Sequence, residues 1–512
     1  MESYLHALFK AFFGAVSVKV VKEQEEEKEP SGRSSKSRQR REKERLQDPE
    51  GLVFYIERGP KEQATFSVFD AKDVLLFRHD GALQIPDESG AAEAVKSFVY
   101  RALADYTQKS LPWGSLMGVR PTKLARRKME EMLEDRSRET GGEQDDSLDL
   151  FSPEEKQSIV NFYQNRYFVS GKKARLATGI AERELSLIRR LHPEKGFSLY
   201  VGVPFCPTRC LYCSFVSNAV GSCRELVEPS LEATVKEIRA CARIMQGHIL
   251  DTVYIGGGTP TALDASQLQR LMGAISDSFD LSGVLEYTVE AGRADSITAE
   301  KLRIIREGGA GRISVNPQSM NEETLRLIGR AATAEQVRSA FHLAREEGFS
   351  HINMDLILGL PGENEQMVQR TLEEVERLGP DSMTVHSLAV KRGSDLNRLM
   401  IEKGIDVSWD TMSAMEKAYE AADRMGLLPY YLYRQKNMTG NLENVGFAGE
   451  GKFGIYNILI MEEVQSVIAC GAGTITKKVG DGSIQRCDNP RDVKLYIETV
   501  DERIREKAEL FA

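Results

Sequence analysis

Three cysteines in the run VPFCPTRCLYCSF, Cys206, Cys210 and Cys213, stand with three and then two residues between them. Three thiolates on one short loop can ligate three irons of a cubane [4Fe–4S] cluster, whose usual closed arrangement has four cysteines. No fourth cysteine is near, so one iron would stay open to a further ligand, as a catalytic zinc site keeps one position free. Zinc is the competing metal, but it wants a fourth protein ligand, and no histidine lies in the loop. The plainer reading is of buried thiols acting as small hydrophobes. It must account for a clustering that roughly one shuffled sequence in a thousand would show. The scattered Cys223, Cys241, Cys470 and Cys487 do read as buried thiols.

A strand–helix rhythm must hold this loop. Short β-branched runs at 199–205, 252–258, 286–291, 312–318, 352–360 and 382–390 read as strands. Helical periodicity fills 223–246, 265–279, 298–307, 333–347 and 364–378 between them. Such alternation means a parallel sheet with crossover helices, either open and doubly wound or a partial (β/α)6 TIM-like barrel. In both, chemistry collects at the carboxyl ends of the strands.

Those ends carry a series of candidates. The second strand runs into IGGGTPT, where Gly257, Gly258 and Thr259 let backbone approach a ligand closely. The bland alternative there is a tight turn. A dinucleotide fingerprint is not completed. Later strand ends bear Glu290, Gln318, Asp355 and Ala389, and Arg330 lies twelve residues beyond Gln318. Each polar member alone reads as a satisfied structural group.

Around this core, Leu5, Leu8, Phe9 and Phe12 predict a short amphipathic helix, with residues 1–21 forming a helix and a strand. A charged loop at 22–49 reads as solvated and flexible. Residues 50–129 read as a small α+β domain, 130–150 as a flexible acidic insertion and 151–197 as a helical connector. The barrel takes 198–395, and 396–512 reads as a small α+β domain covering its mouth.

Composition removes other classes. A hydrophobic share of 41% with 28% charged residues is globular, which excludes collagen, coiled coil and wholesale disorder. A net charge of −9 argues against a general nucleic-acid binder. No run approaches the roughly 18 apolar residues of a membrane span. The start, Met1-Glu2, shows no export signal, so the expected location is cytoplasmic and the clustered cysteines point to metal rather than disulfides.

Cys-x3-Cys-x2-Cys after the first strand of a β/α domain, with Tyr212 before the last cysteine, resembles the signature of the radical S-adenosylmethionine (SAM) enzymes. The resemblance implies an open iron that chelates SAM and a 5′-deoxyadenosyl radical as the reactive species. The glycine run then looks like the motif that grips the SAM amino group. The polar series resembles the oxygen-independent coproporphyrinogen III oxidases, in which Glu290, Gln318, Arg330 and Asp355 would contact SAM. The resemblance further implies a backbone contact at Ala389, a C-terminal contact at Ile475, and Tyr200 as the cluster-proximal tyrosine. It covers about residues 198–480. With WGSLMGVRPTKL in its extra N-terminal domain, the chain looks like the branch described as coproporphyrinogen dehydrogenases (the HemZ branch).

The implied reaction is oxidative decarboxylation of two propionates of coproporphyrinogen III to vinyl groups. Its implied partners are that tetrapyrrole or a related one and a low-potential reductant such as flavodoxin or ferredoxin. An acidic substrate implies cations at the barrel mouth, with Arg330, Lys391, Arg392 and Arg434 as candidates. The chain departs from the family at Phe215, where the best-characterised branch has a fourth cysteine, and at Gly202, where it has histidine. Phe215 is expected to pack apolar surface over the cluster. Haem chaperones of the same family also lack that cysteine, so a haem-binding role is the alternative. A tRNA-modifying enzyme is a further one, disfavoured by the acidic charge.

Overall fold

The computed structural model describes residues 2–13, 52–58, 63–70, 72–83, 90–118, 120–140, 150–192, 195–389, 395–396, 398, 402, 411–434, 442–480 and 482–512. The charged loop at 22–49 and the strand expected before residue 21 lie outside them, as do Lys391 and Arg392. The chain divides into two units, Met1–Val119 with Ser152–Leu176, and Arg120–Phe151 with Ala177–Ala512.

In the smaller unit, β1 (Val53–Arg58), β2 (Gln63–Phe69) and β3 (Leu75–Ala82) form an antiparallel sheet in that order. Period-2 alternation on β2 buries Phe66 and Val68. They share one core with Leu5, Leu8, Phe9 and Phe12 of α1 (Glu2–Phe13) and Val95, Phe98 and Val99 of α2 (Ala91–Thr107). The opening helix is therefore a core element of this unit.

Next, α3 (Thr122–Thr140) belongs to the larger unit and α4 (Pro153–Tyr167) again to the smaller. The acidic composition of 130–150 predicts a flexible insertion, yet the chain stays helical through Thr140. Oppositely charged pairs one turn apart, Arg126–Glu130, Lys128–Glu131 and Arg138–Asp135, favour that helix. Ser152 and Glu155 build a capping box at the start of α4, with Pro153 in its first turn. Then α5 (Gly171–Ile188) begins in the smaller unit and ends in the larger.

The larger unit is built on β4 (Gly196–Val203), a short pair β5 (Phe205–Cys206) and β6 (Asn218–Ala219), α6 (Arg224–Ile244), β7 (Ile249–Gly257), α7 (Ala265–Ser276), β8 (Glu286–Val289), α8 (Ala299–Glu307) and β9 (Arg312–Ser314). It continues through α9 (Glu322–Leu327), α10 (Ala334–Glu346), β10 (Ile352–Leu358), α11 (Glu365–Leu378), β11 (Ser382–Ser387), α12 (Thr411–Arg424), β12 (Leu428–Tyr433) and β13 (Asn444–Ala448). It closes with α13 (Ile455–Glu462), β14 (Ser466–Cys470), β15 (Ile475–Gly480), β16 (Ser483–Asp488) and α14 (Val493–Phe511). Side-chain caps from Asp264, Thr298, Thr333, Asn364 and Asp492 set where five of these helices start.

In this unit all strands other than the β5–β6 pair join one sheet, ordered β12-β13-β11-β10-β9-β8-β7-β4-β14-β15-β16. Seven neighbours from β14 through β4 to β11 run parallel. Antiparallel strands extend both flanks. The six expected β/α units are present. Residues after 396, expected as a separate small domain, instead supply strands to both edges of the barrel sheet. The reason is physical: an edge strand exposes unpaired backbone groups, and added strands satisfy them.

Candidate active site

The cysteine loop leaves the carboxyl end of β4. The β5–β6 pairing closes the loop, and Asn218 N donates to Pro204 O at 2.9 Å. Its far side is tied down by Leu211 N to Ile328 O (3.0 Å) and Thr208 Oγ1 to Gly329 O (3.0 Å). Arg293 donates to Thr208 O at 3.2 Å and to Thr208 Oγ1 at 3.0 Å, and its Nη1 stands 3.6 Å from Cys210 Sγ. Asp295 fixes that guanidinium at 2.8–2.9 Å. Arg293 escapes sequence reading because its role exists only once β8 and the loop are side by side.

Cys206 Sγ lies 3.4 Å from Thr259 Oγ1, joining the cysteine loop to the glycine run. Burial pushes the Cys206 thiol up to about 11, with Cys213 and Cys210 adding to the rise while Thr259 and Arg293 oppose it. Burial also raises Cys213. Metal binding would have to displace those protons. Among the described residues no three His, Cys, Asp or Glu side chains converge as ligands of a single ion would. A cubane takes one thiolate at each of three irons, so its ligands need not meet at one point.

Behind the loop, Gly258 N donates to Val203 O and Thr259 N to Phe205 O, both at 2.7 Å. Gly257 has φ +98°, and a Cβ on Gly258 would lie 2.4 Å from Phe205 O. The glycines thus let β7 press against the residue before Cys206. This packing demand on Gly258 stands beside the expected role of the glycine run in letting backbone approach a ligand closely.

The polar series does assemble at the carboxyl side of the parallel strands. Glu290, just past β8, accepts a hydrogen bond from the Tyr254 hydroxyl. Burial and then the charge of Asp355 raise its carboxyl to about 7. Asp355 on β10 accepts from Asn353 Nδ2 at 2.8 Å, and its Oδ2 stands 4.0 Å from His386 Nε2. Gln318 is held at φ +65°, uncommon for a side chain of its kind, by Gln318 N to Asp355 O and Ile357 N to Gln318 O. Arg330 bonds Asn316 O and lies against Tyr212 and Cys210.

Two buried polar atoms here, Gln318 Oε1 and Arg330 Nε, have no hydrogen-bond partner among the described residues. Orphaned atoms of this kind are rare and call for a ligand or water. They sit on residues singled out for SAM, so the donor set fits a polar cofactor at this place.

The remaining candidates divide. Tyr212 packs with Leu211 on the apolar cluster of Leu325, Ile328, Ile357, Leu360, Leu388 and Leu396. Tyr200 stacks in a triple with Tyr254 and Tyr456, centroids 4.4–6.1 Å apart. Ala389 is half-buried past β11, and Ile475 is an exposed residue opening β15. Arg434, expected as a cation for substrate carboxylates, is buried beside Glu443, and burial lowers it to about 10. Phe215, expected to cover the cluster, is instead 71% exposed.

A second group missed by sequence reading holds the ACGAGT segment. The buried Glu237 of α6 accepts from Gly471 N (2.8 Å), Tyr496 Oη (2.7 Å) and Asn489 Nδ2 (3.0 Å), and pairs with Lys507. Lys507 Nζ also donates to Ala469 O at 2.7 Å. Gly471 in turn abuts Gly202 O, and Gly473 abuts Val216 in the cysteine loop. The C-terminal helix thereby supports the site.

A parallel sheet whose first strand ends in the spaced cysteines and whose second ends in glycines matches the model of the Radical SAM superfamily over residues 200–375. The oxygen-independent coproporphyrinogen-III oxidase-like protein HemZ of Bacillus subtilis is 37% identical over 426 residues, 81% of each chain. The haem chaperone HemW of the same organism is 37% identical over 212 residues, 40% of this chain and 54% of its own. The structure of coproporphyrinogen III oxidase (HemN) from Escherichia coli, described as a radical SAM enzyme, superposes with TM-score 0.50 at 24% identity, covering 62% of this chain and 72% of that one. The chain belongs to the radical SAM superfamily, in the HemN-like family of oxygen-independent coproporphyrinogen III oxidase relatives. The superfamily implies a [4Fe–4S] cluster and SAM. No helix among the described residues is long and apolar enough to cross a membrane.

Proposed function

We propose that the protein is an oxidoreductase converting coproporphyrinogen III to protoporphyrinogen IX without oxygen. Cys206, Cys210 and Cys213 hold the cluster, and Gly257, Gly258, Thr259, Glu290, Gln318, Arg330 and Asp355 hold SAM. When bound, these groups supply a 5′-deoxyadenosyl radical. Each propionate that becomes a vinyl group would give up one hydrogen atom to that radical, one CO2, and one electron to an external one-electron acceptor. The observation that carries the substrate is the similarity to HemZ across 81% of both chains, which includes sequence beyond the barrel. HemW, at the same identity over 40% of this chain, supports the second reading, a haem chaperone.

Anaerobic incubation with SAM, a reductant and coproporphyrinogen III tests the first reading directly. Protoporphyrinogen IX and two CO2 per substrate are expected. Stoichiometric haem binding with no decarboxylated product would replace the oxidase by the chaperone.

Alanine at Cys206, Cys210 or Cys213 is expected to remove the iron that anaerobic reconstitution installs, whereas Cys223→Ala leaves it unchanged. Iron and sulfide analysis decides, and zinc retained without iron would overturn the cluster assignment.

A pH dependence should accompany SAM binding. SAM carries positive charge, so it favours ionised Glu290, whose carboxyl titrates at about 7. Below that pH binding must expel a proton, and affinity should fall by up to about tenfold per unit. The same raised value makes the ligand-free fold lose stability as pH rises from 4.5 toward 7, because the folded carboxyl holds its proton longer. Calorimetric titration with SAM between pH 6 and 8 should show the slope in wild type and a flat profile in Glu290→Gln. Equal slopes would remove Glu290 from the SAM site.

A further inference from the structure

The three sulfurs of the cysteine loop do not share one environment. Cys206 Sγ faces the Thr259 hydroxyl at 3.4 Å and Cys213 Sγ the Ser217 hydroxyl at 3.9 Å, both neutral groups. Cys210, 8% exposed, faces a guanidinium instead. Arg293 Nη1 stands 3.6 Å from its sulfur, and the Arg293 side chain is itself only 3% exposed. Arg330 also lies against Cys210, but it is assigned to SAM, so Arg293 is the cation that acts on this sulfur with or without that ligand.

The donors of Arg293 are divided between two tasks. Nε and Nη2 form a fork on Asp295 at 2.9 and 2.8 Å, and Nη2 also reaches Thr208 Oγ1 at 3.0 Å. That leaves Nη1 to meet Thr208 O at 3.2 Å and the Cys210 sulfur. The backbone beneath is fixed as well, since Arg293 O accepts from Ser296 N at 3.0 Å and from Ser296 Oγ at 2.8 Å. Holding the loop does not require the sulfur contact, because Leu211 N to Ile328 O and Thr208 Oγ1 to Gly329 O already tie it down. What a charged N–H aimed at a ligating sulfur does change, in a site shielded from water, is the energy of negative charge added there.

We propose that Arg293 raises the reduction potential of the cluster through the Cys210 sulfur, and that Asp295 limits the rise by offsetting part of its charge. The proposal rests on the assignment of Cys206, Cys210 and Cys213 to a [4Fe–4S] cluster. Reduction brings one electron from an external low-potential donor and takes the cluster from the 2+ to the 1+ state, with no bond made or broken. The reduced state carries one more negative charge. A cation and an N–H donor beside a ligand therefore stabilise it more than the oxidised state, and the potential rises. Asp295 acts in the opposite sense from the Nε edge of the same guanidinium.

The test is EPR-monitored potentiometry of cluster-loaded wild type, Arg293→Gln and Asp295→Asn, without SAM. At a fixed applied potential the ratio of reduced to oxidised cluster should fall about tenfold or more in Arg293→Gln, a downward shift of about 59 mV for a one-electron couple. Asp295→Asn keeps an acceptor oxygen for the arginine and removes the charge, so there the ratio should rise, by about threefold or more. A residue that only braced the loop would not move the two variants in opposite directions. A ratio within about twofold of wild type in Arg293→Gln, or shifts of one sign in both variants, would overturn the proposal. If Arg293→Gln takes up less iron than wild type, Asp295→Asn decides: a raised ratio supports the proposal, and an unchanged or lowered one overturns it. Wild type that takes up no iron would instead refute the cluster assignment itself.

Discussion

Valine at Gly258 is expected to destroy cluster and SAM binding together. Its Cβ would lie 2.4 Å from Phe205 O, 2.9 Å from Phe205 C and 3.0 Å from Phe205 N. These are backbone atoms of the residue before Cys206, held by the bond from Thr259 N to Phe205 O at 2.7 Å, so no side chain can turn away to relieve the clash. Overpacking of this kind costs about 1–3 kcal/mol even where neighbours can shift. Here the shift falls on Phe205, next to Cys206, a proposed cluster ligand. Iron per chain should drop well below four, and SAM affinity should drop at least tenfold. Gly258→Val that retains the full iron complement and loses only SAM would restore the simpler view of these glycines as space for the ligand.

Lys507→Met is expected to be the most destabilising single change outside the site. It leaves Glu237 charged and buried, and breaking one half of such a pair costs about 3–5 kcal/mol. Burial alone would lower the Lys507 ammonium, but Glu237 and the neighbouring groups outweigh it and raise it. A cation raised in the fold contributes its stability fully below its unfolded value of roughly 10 and loses it progressively as pH rises from there through the folded value. The gap between wild type and variant should therefore be constant through neutral pH and shrink in strong alkali. Urea unfolding measures it. Adding Glu237→Leu to Lys507→Met should recover much of the loss, since a matched apolar pair replaces a buried ion pair at little cost. No recovery would mean that Glu237 acts through Gly471, Asn489 and Tyr496 rather than through its charge.

What the sequence made legible follows from the range of each interaction. The parallel strands of the barrel are buried on both faces and read as β-branched runs, and their helices carry local caps such as Asp264 and Thr333, so both were visible. The cysteine and glycine motifs were visible because their spacing is local. Arg293 and the Glu237–Lys507 pair were not, since their partners lie 83 and 270 residues away in the chain. The pairing of β14 beside β4 left no trace for the same reason. Phe215 was legible as apolar but not as exposed, because composition says what a side chain prefers and not where a loop carries it. The short α9 and α13 were missed for want of length, with too few turns to show a period.

The place of β14 in the sheet sets a timetable for biosynthesis. Ser466 pairs with Phe197, so one edge of β4 stays bare until roughly 270 further residues have been made, on the order of 15–50 s of translation. The residues that finish this strand also brace the loop that follows it, through Gly471 on Gly202 and Gly473 on Val216. Through that interval the nascent chain carries an unpaired hydrophobic edge, the kind that recruits foreign strands. Iron delivered early would meet three thiols on an unbraced loop. Insertion of the proposed cluster is therefore expected to follow completion of β14 rather than to accompany synthesis of the cysteine loop.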